Sequence, residues 1–221
     1  MRVNLPSLEQ HEIGRPKHRF RNPIKVGVLY LFRNPIDDVY QVKAGSALNL
    51  QILFTIPIGQ QYTPNGGVAV AKSSWHTSMT QGSLLPNPQK YFTKYISVSV
   101  RGDTVAADLI RFLDDTLVTF TMARPFLVAH ASKLPGAGGP FGFTSAIVSN
   151  GWPDKDNEFA FSDQLGEVIE QGQAFSVTMD PTLASTAGAD VVPYVTTTGA
   201  NGGTGINARV TLDGLLNREV L

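Results

Sequence analysis

Four histidines, His11, His18, His76 and His130, are the side chains best suited to metal or proton chemistry in this chain, and none falls in an HxH or HExxH spacing. A cupin-type metal centre needs two or three histidines and a carboxylate converging inside a barrel, usually with a closely spaced pair among them. His76 and His130 are the pair that a β body could still bring together. Isolated, hydrogen-bonded histidines are the expectation, so no metal and no other cofactor is predicted. Asp37-Asp38 and Asp114-Asp115 are adjacent acids. Two carboxylates across a groove can hydrolyse glycosides, yet these pairs read as turn and helix-end residues, where acids cap and solvate. Asp154-Lys155-Asp156-Asn157-Glu158 sets hard oxygens at alternate positions, but Phe159 stands where a calcium-binding EF-hand turn requires glycine. Gly136, Gly138, Gly139 and Gly142 are followed by no Lys-Ser/Thr and make no phosphate loop. No serine lies in a GxSxG elbow, and there is no cysteine. No catalytic residue emerges, and the chain is not expected to be an enzyme.

The charge distribution is more informative. The chain sums to zero over 221 residues, but residues 1–25 carry six Lys/Arg against two Glu. That segment is therefore +4, and the remainder is −4. Gly14–Lys25 (GRPKHRFRNPIK) concentrates Arg15, Lys17, Arg19 and Arg21 around prolines that remove backbone donors and disfavour helix. Such an arm makes multivalent contacts with phosphates, in nucleic acid or lipid headgroups. The acidic body of a neighbouring copy could neutralise it equally well. Charged residues are only 16% of the chain, below the roughly 25% usual for globular proteins, and low charge suits large protein–protein surfaces.

The elements that must position these groups read as strands. Val26–Phe32 precedes the turn signal Asn34-Pro35, and Val39–Val42 follows it. Leu48–Ile58 alternates over eleven residues, with Leu48, Leu50, Ile52, Phe54, Ile56 and Ile58 on one face. It predicts the longest strand. Asn65-Gly66-Gly67 predicts a hairpin between Tyr62 and Val68–Ala71. Tyr95–Arg101, Thr116–Met122, Ala174–Met179 and Ile206–Leu212 alternate cleanly, and Phe141–Val148, Phe159–Phe161, Leu165–Ile169 and Val191–Val195 are shorter candidates. One helix is predicted, capped by Asp103 or Thr104. Val105, Leu109 and Leu113 form its stripe, Ile110 and Phe112 widen it, and Asp114-Asp115 ends it. Eight to ten strands and a single helix predict an all-β chain: one β-sandwich or jelly roll over residues 26–221, preceded by an irregular basic arm over 1–25. No apolar run approaches a membrane span and no signal peptide opens the chain, so synthesis in a cytoplasm is expected.

The stretches YISVSVRG…DLIRFLDDTLVTFTM, QAFSVTMD and INARVTLDGLLNREVL, with the basic arm and long Gly/Thr/Asn loops, resemble bacteriophage and archaeal-virus structural proteins. Single jelly-roll capsid proteins of tailless, membrane-containing phages are among them. The resemblance is one of pattern, covering most of the chain, and transfers no individual residue. It implies a self-assembling capsid protein located in the virion and made in the host cytoplasm. Its partners would be its own copies, other virion proteins, and viral nucleic acid or an internal membrane, with no small-molecule substrate. Two other readings compete. A carbohydrate- or receptor-binding sandwich of a spike or fibre would stack ligand on Tyr62, Trp75 and Trp152. A cupin-like or glycosidase-like enzyme would need a convergent pocket of His and carboxylate side chains.

Overall fold

The computed structural model describes residues 28–100, 104–134, 140–143, 148–150, 159–161, 167–181 and 205–220. Alternating sequence becomes two sheets whose strands pair antiparallel. The first is organised around β14 (Ile206–Val220) and β6 (Gln89–Val100). β1 (Val28–Arg33) and β2 (Ile36–Val42) lie end to end along the outer side of β14. β11 (Phe159–Ala160) and β12 (Glu167–Ile169) do the same along β6. The second sheet has the order β3 (Gln51–Leu53), β13 (Phe175–Asp180), β7 (Leu117–Met122), β8 (Arg124–His130). Two small hairpins, β4 (Gln61–Tyr62) with β5 (Val70–Ala71) and β9 (Pro140–Phe143) with β10 (Val148–Asn150), stand apart.

The pairings are nested. β2 pairs β14, β3 pairs β13, β6 pairs β11 and β12, and β7 pairs β8. This is one long antiparallel hairpin folded over on itself, sealed where β14 meets β6 and where β13 meets β7. Its inner faces share one core, with Ile96, Val98, Val210 and Leu212 from the first sheet against Val118, Phe120, Val177 and Met179 from the second. Each such side chain contributes about 1.5–3 kcal/mol on full burial. The all-β, sandwich-like character expected from the sequence is thus present, and Val118, Phe120, Met122, Phe175, Val177 and Met179 point inward as their alternation requires.

Three expectations are corrected. The Leu48–Ile58 strand shrinks to Gln51–Leu53, and its alternation is broken: Leu48 and Phe54 are buried as expected, but Leu50 and Ile52 are exposed and Leu53 is buried. The cause is Phe54, whose φ of 67° bends the chain out of extended geometry. The longest strand is instead β14, with 15 residues. It survives a bulge at Asp213/Gly214 because a Cβ on Gly214 would sit 2.0 Å from the Phe92 carbonyl oxygen, so only glycine fits. The helix, α1 (Ala106–Asp115), has Val105 rather than Asp103 or Thr104 at its N-cap, without a side-chain cap bond. It buries Leu109 and Phe112 and leaves Ile110 exposed, so its stripe is narrower than predicted. Its end at Asp114-Asp115 is as expected. β8, an edge strand among the described residues with largely exposed side chains, has no counterpart in the sequence reading. Val191–Val195 lies outside the described residues.

Candidate functional site

β2 turns Ile36, Asp38, Tyr40 and Val42 toward the interior. A carboxylate thus occupies an apolar position, and an unpaired charge there would be costly. Asp37-Asp38 is therefore a strand pair, not the solvated turn that the sequence suggested. Asp38 is fully buried and satisfied from two directions. Its Oδ1 accepts the Val39 N–H at 2.9 Å, and its Oδ2 accepts the Phe54 N–H at 2.6 Å. Lys72, which follows β5, donates its Nζ to both oxygens at 2.5 and 2.8 Å and is itself buried. Burial pushes the Asp38 carboxyl above its ordinary value; the Lys72 ammonium and then the Phe54 and Val39 N–H groups pull it back. Each oxygen takes one backbone N–H and the shared ammonium, an arrangement suited to the charged pair. The same carboxylate holds Phe54 in its left-handed conformation, which ends β3.

This pair clips the segment between β3 and β6 onto the free side of β2. Further bonds continue along that side. Asn65 donates its N–H to the Gln41 carbonyl, Lys43 donates to the Asn65 carbonyl, and Ser78 donates to the Asp37 carbonyl. Beside the clip, the Lys72 ammonium lies 5.3 Å from the centroid of the Tyr62 ring, which in turn is 5.4 Å from the ring of His76. The Tyr62 hydroxyl donates to Gln41 Oε1. Burial and then the Asp38 charge push that hydroxyl's pKa up.

The turn after Lys72 is locally wired. His76 and Thr77 donate their N–H groups to the Ser73 carbonyl. Nδ1 of His76 accepts the Ser73 N–H at 3.1 Å and the Ser73 hydroxyl at 2.9 Å, and that hydroxyl accepts the Trp75 N–H at 3.3 Å. The His76 pKa is lowered, chiefly by burial and next by the Lys72 charge; Asp38 opposes this and Arg209 adds to it. Arg209, on β14, donates Nη2 to the Trp75 carbonyl at 2.7 Å and pairs through Nη1 with Asp37 at 3.0 Å. The result is a pinned turn that presents the Trp75 side chain, 81% exposed, to solvent. Ser73 and His76 form a contact within one turn. The Asp38 carboxylate has its lone pairs engaged. The arrangement holds the turn and presents the indole.

Of the residues singled out from sequence, Tyr62 and Trp75 are brought to the same region but differ in access. Tyr62 is only 9% exposed, with Lys72 and His76 against its ring, whereas Trp75 projects outward. Trp152, the arm residues Arg15, Lys17, Arg19 and Arg21, His11, His18, the 154–158 acids and Gly136, Gly138 and Gly139 lie outside the described residues; Gly142 falls in β9. His130 does not join His76. Its Nδ1 lies 3.0 Å from the Asp114 carbonyl oxygen at the end of α1. Among the described residues, no group of three or more His, Asp or Glu is placed to hold a metal ion, and no helix is long and apolar enough to cross a membrane. A cavity of about 270 Å³ between Ile36, Met79, Leu85, Leu216, Asn34 and Gln89 has no charged side chain in its lining. Sequence reading missed Lys72, Gln41 and Arg209. The usable signal was Asp38 itself, an acid in phase with Ile36, Tyr40 and Val42, which demands a buried cation.

The second sheet ends differently. Among the described residues β8 is its edge, and it exposes Phe126 and Val128. Phe126 occupies the bulge opposite Phe120/Thr121, edge-on to Phe120 at 6.2 Å and 5.6 Å from Phe161. No protein family, no curated protein and no solved structure matches this chain.

Proposed function

We propose that the chain is a virion structural protein whose body is a single jelly roll. The observation that supports this best is the nested pairing of β2·β14, β3·β13, β6·β11/β12 and β7·β8, rolled into two sheets each four strands wide. Eight principal strands rolled in this way make the double Greek key of capsid jelly rolls. The fold is shared by lectins and cupins, so function is argued from the surface. That surface offers exposed apolar side chains on the β8 edge and an anchored, outward Trp75, features suited to lateral contacts between copies. Heterologous contacts that close generate rings and shells. The arm over residues 1–25 completes the reading, with Arg15, Lys17, Arg19 and Arg21 contacting a neighbouring subunit or an anionic interior. The protein would act in the virion without a cofactor and without catalysis.

Sedimentation and electron microscopy of the purified full chain test this. Discrete oligomers or particles are expected, weakened by Val128→Lys and by deletion of residues 1–22, with the β body still folded in both. A strict monomer at every concentration overturns the proposal. The exposure of Trp75 favours one second reading, a carbohydrate- or receptor-binding sandwich of a spike or fibre. Glycan-array binding lost on Trp75→Ala or Trp152→Ala, with no self-association, would decide for it.

A further inference from the structure

We infer that the Ser73–Thr77 turn is an acid-sensitive latch, closed only while Nδ1 of His76 carries no proton, and that Trp75 is the surface group it controls. The geometry requires this. Nδ1 accepts both the N–H and the hydroxyl of Ser73, and the hydroxyl accepts the Trp75 N–H, so one lone pair of the imidazole closes the turn across its mouth, beside the backbone bonds to the Ser73 carbonyl and the Arg209 contact to the Trp75 carbonyl. A proton on Nδ1 would set donor against donor, and the ring must let go of Ser73 to accept it. The charged groups around the ring reinforce the effect. Lys72, beside β5, and Arg209, on β14, disfavour a third cation. From β2, Asp38 favours the cation but is engaged by Lys72, and Asp37 is engaged by Arg209. Tyr62 covers one side of the ring and donates its own proton to Gln41. Neutral His76 is thus the Nε2–H tautomer, and acidification unhooks the turn that carries the exposed Trp75 indole.

Long-range ¹H–¹⁵N NMR of the histidine rings in the full chain, from pH 8 to pH 4, tests the latch. His76 should be the Nε2–H tautomer at neutral pH and titrate below the ordinary value of about 6.5. The Ser73 and Trp75 amide resonances should move with the same midpoint. In His76→Asn, whose carbonyl oxygen keeps an acceptor near the Nδ1 position but does not titrate, those amides should stay fixed over the same range. Arg209→Gln should raise the His76 midpoint. An Nδ1–H tautomer at neutral pH, or a His76 titration that leaves the Ser73 amide unmoved, overturns the inference.

Discussion

Lys72→Met isolates the buried clip. The substitution keeps the length of the apolar stem and removes only the ammonium, so packing around Tyr62 is largely conserved. Asp38 then keeps two backbone N–H donors and loses both charge-assisted contacts, at 2.5 and 2.8 Å, in a site with no exposed carboxylate surface. Breaking a buried pair by removing one partner costs about 3–5 kcal/mol. For a chain of this length that corresponds to a fall in Tm of roughly 6–20 °C. The loss should depend on pH with a definite sign. Burial already holds the Asp38 carboxyl above its ordinary value, and removing Lys72 raises it further. The folded variant therefore favours the protonated acid, and its deficit grows as pH rises through that raised value and shrinks in acid. Urea denaturation at pH 5 and pH 8 reads both the size and the sign. The exposed Lys90–Glu170 pair is the control. Its 2.7 Å separation is as short, but both side chains are about half exposed, so Lys90→Met should cost about 0–1 kcal/mol. Asp38→Asn combined with Lys72→Met should recover part of the single-variant loss, since no buried charge remains. A loss for Lys72→Met as small as that of Lys90→Met, or one that ignores pH, would refute the reasoning.

Other outcomes follow from particular positions. Gly214→Ala should cost more than Gly172→Ala, measured by thermal unfolding. The new methyl at 214 meets the Phe92 carbonyl oxygen at 2.0 Å, while at 172 it meets nothing and adds only the strain of φ +72°, about 1–2 kcal/mol. Trp75→Ala should leave stability within about 0.5 kcal/mol, because the side chain is solvent-exposed, while removing whatever contact the indole makes; calorimetry and sedimentation read the two separately. His76, whose pKa is lowered in the folded chain, binds more protons when unfolded. Its contribution to stability is therefore present above about pH 6.5 and lost as pH falls through the folded value. His76→Asn should flatten that part of the pH–stability curve.

The fold was legible where one face of a strand is buried and its neighbours lie on both sides. β7 and β13 are central in their sheet, so Val118, Phe120, Met122, Phe175, Val177 and Met179 announce the inward face directly. Leu48–Ile58 misled because its alternation is interrupted by an event elsewhere. The Asp38 carboxylate captures the Phe54 N–H, 16 residues along the chain, and the strand ends in a left-handed residue. β8 was invisible for the opposite reason. Arg124–His130 turns only Leu127 and Ala129 partly toward the core, too short a pattern to announce a strand, and its geometry is set by pairing with β7. The site was half legible. Trp75 could be picked out by type, but the site around it is held by Arg209 of β14 and by the Asp38–Lys72 pair, and neither the separation of 34 positions between Asp38 and Lys72 nor that of 134 between Trp75 and Arg209 leaves a local trace.

These two misreadings bear on assembly together. In the first sheet, the outer side of β2 is occupied. The bridges Asp38↔Thr77 and Val42↔Asn65 cover its hydrogen-bonding groups, and the buried Asp38–Lys72 pair fixes the covering segment in place. In the second sheet, β8 pairs only with β7 among the described residues and exposes Phe126 and Val128. Uncovered edge strands are templates for pairing, and proteins that must stay apart blunt them with charge, proline or a bulge. β8 has Arg124 and Pro125 at one end and a bulge at Phe126, but Leu127 to Ala129 beyond the bulge hold no charge. The blunting is thus confined to one end of the strand. A polar residue placed at Val128 should therefore alter association between copies more than a polar residue placed anywhere on β2. Comparing Val128→Lys with Gln41→Lys by sedimentation separates the two edges: equal effects would mean that neither edge directs assembly.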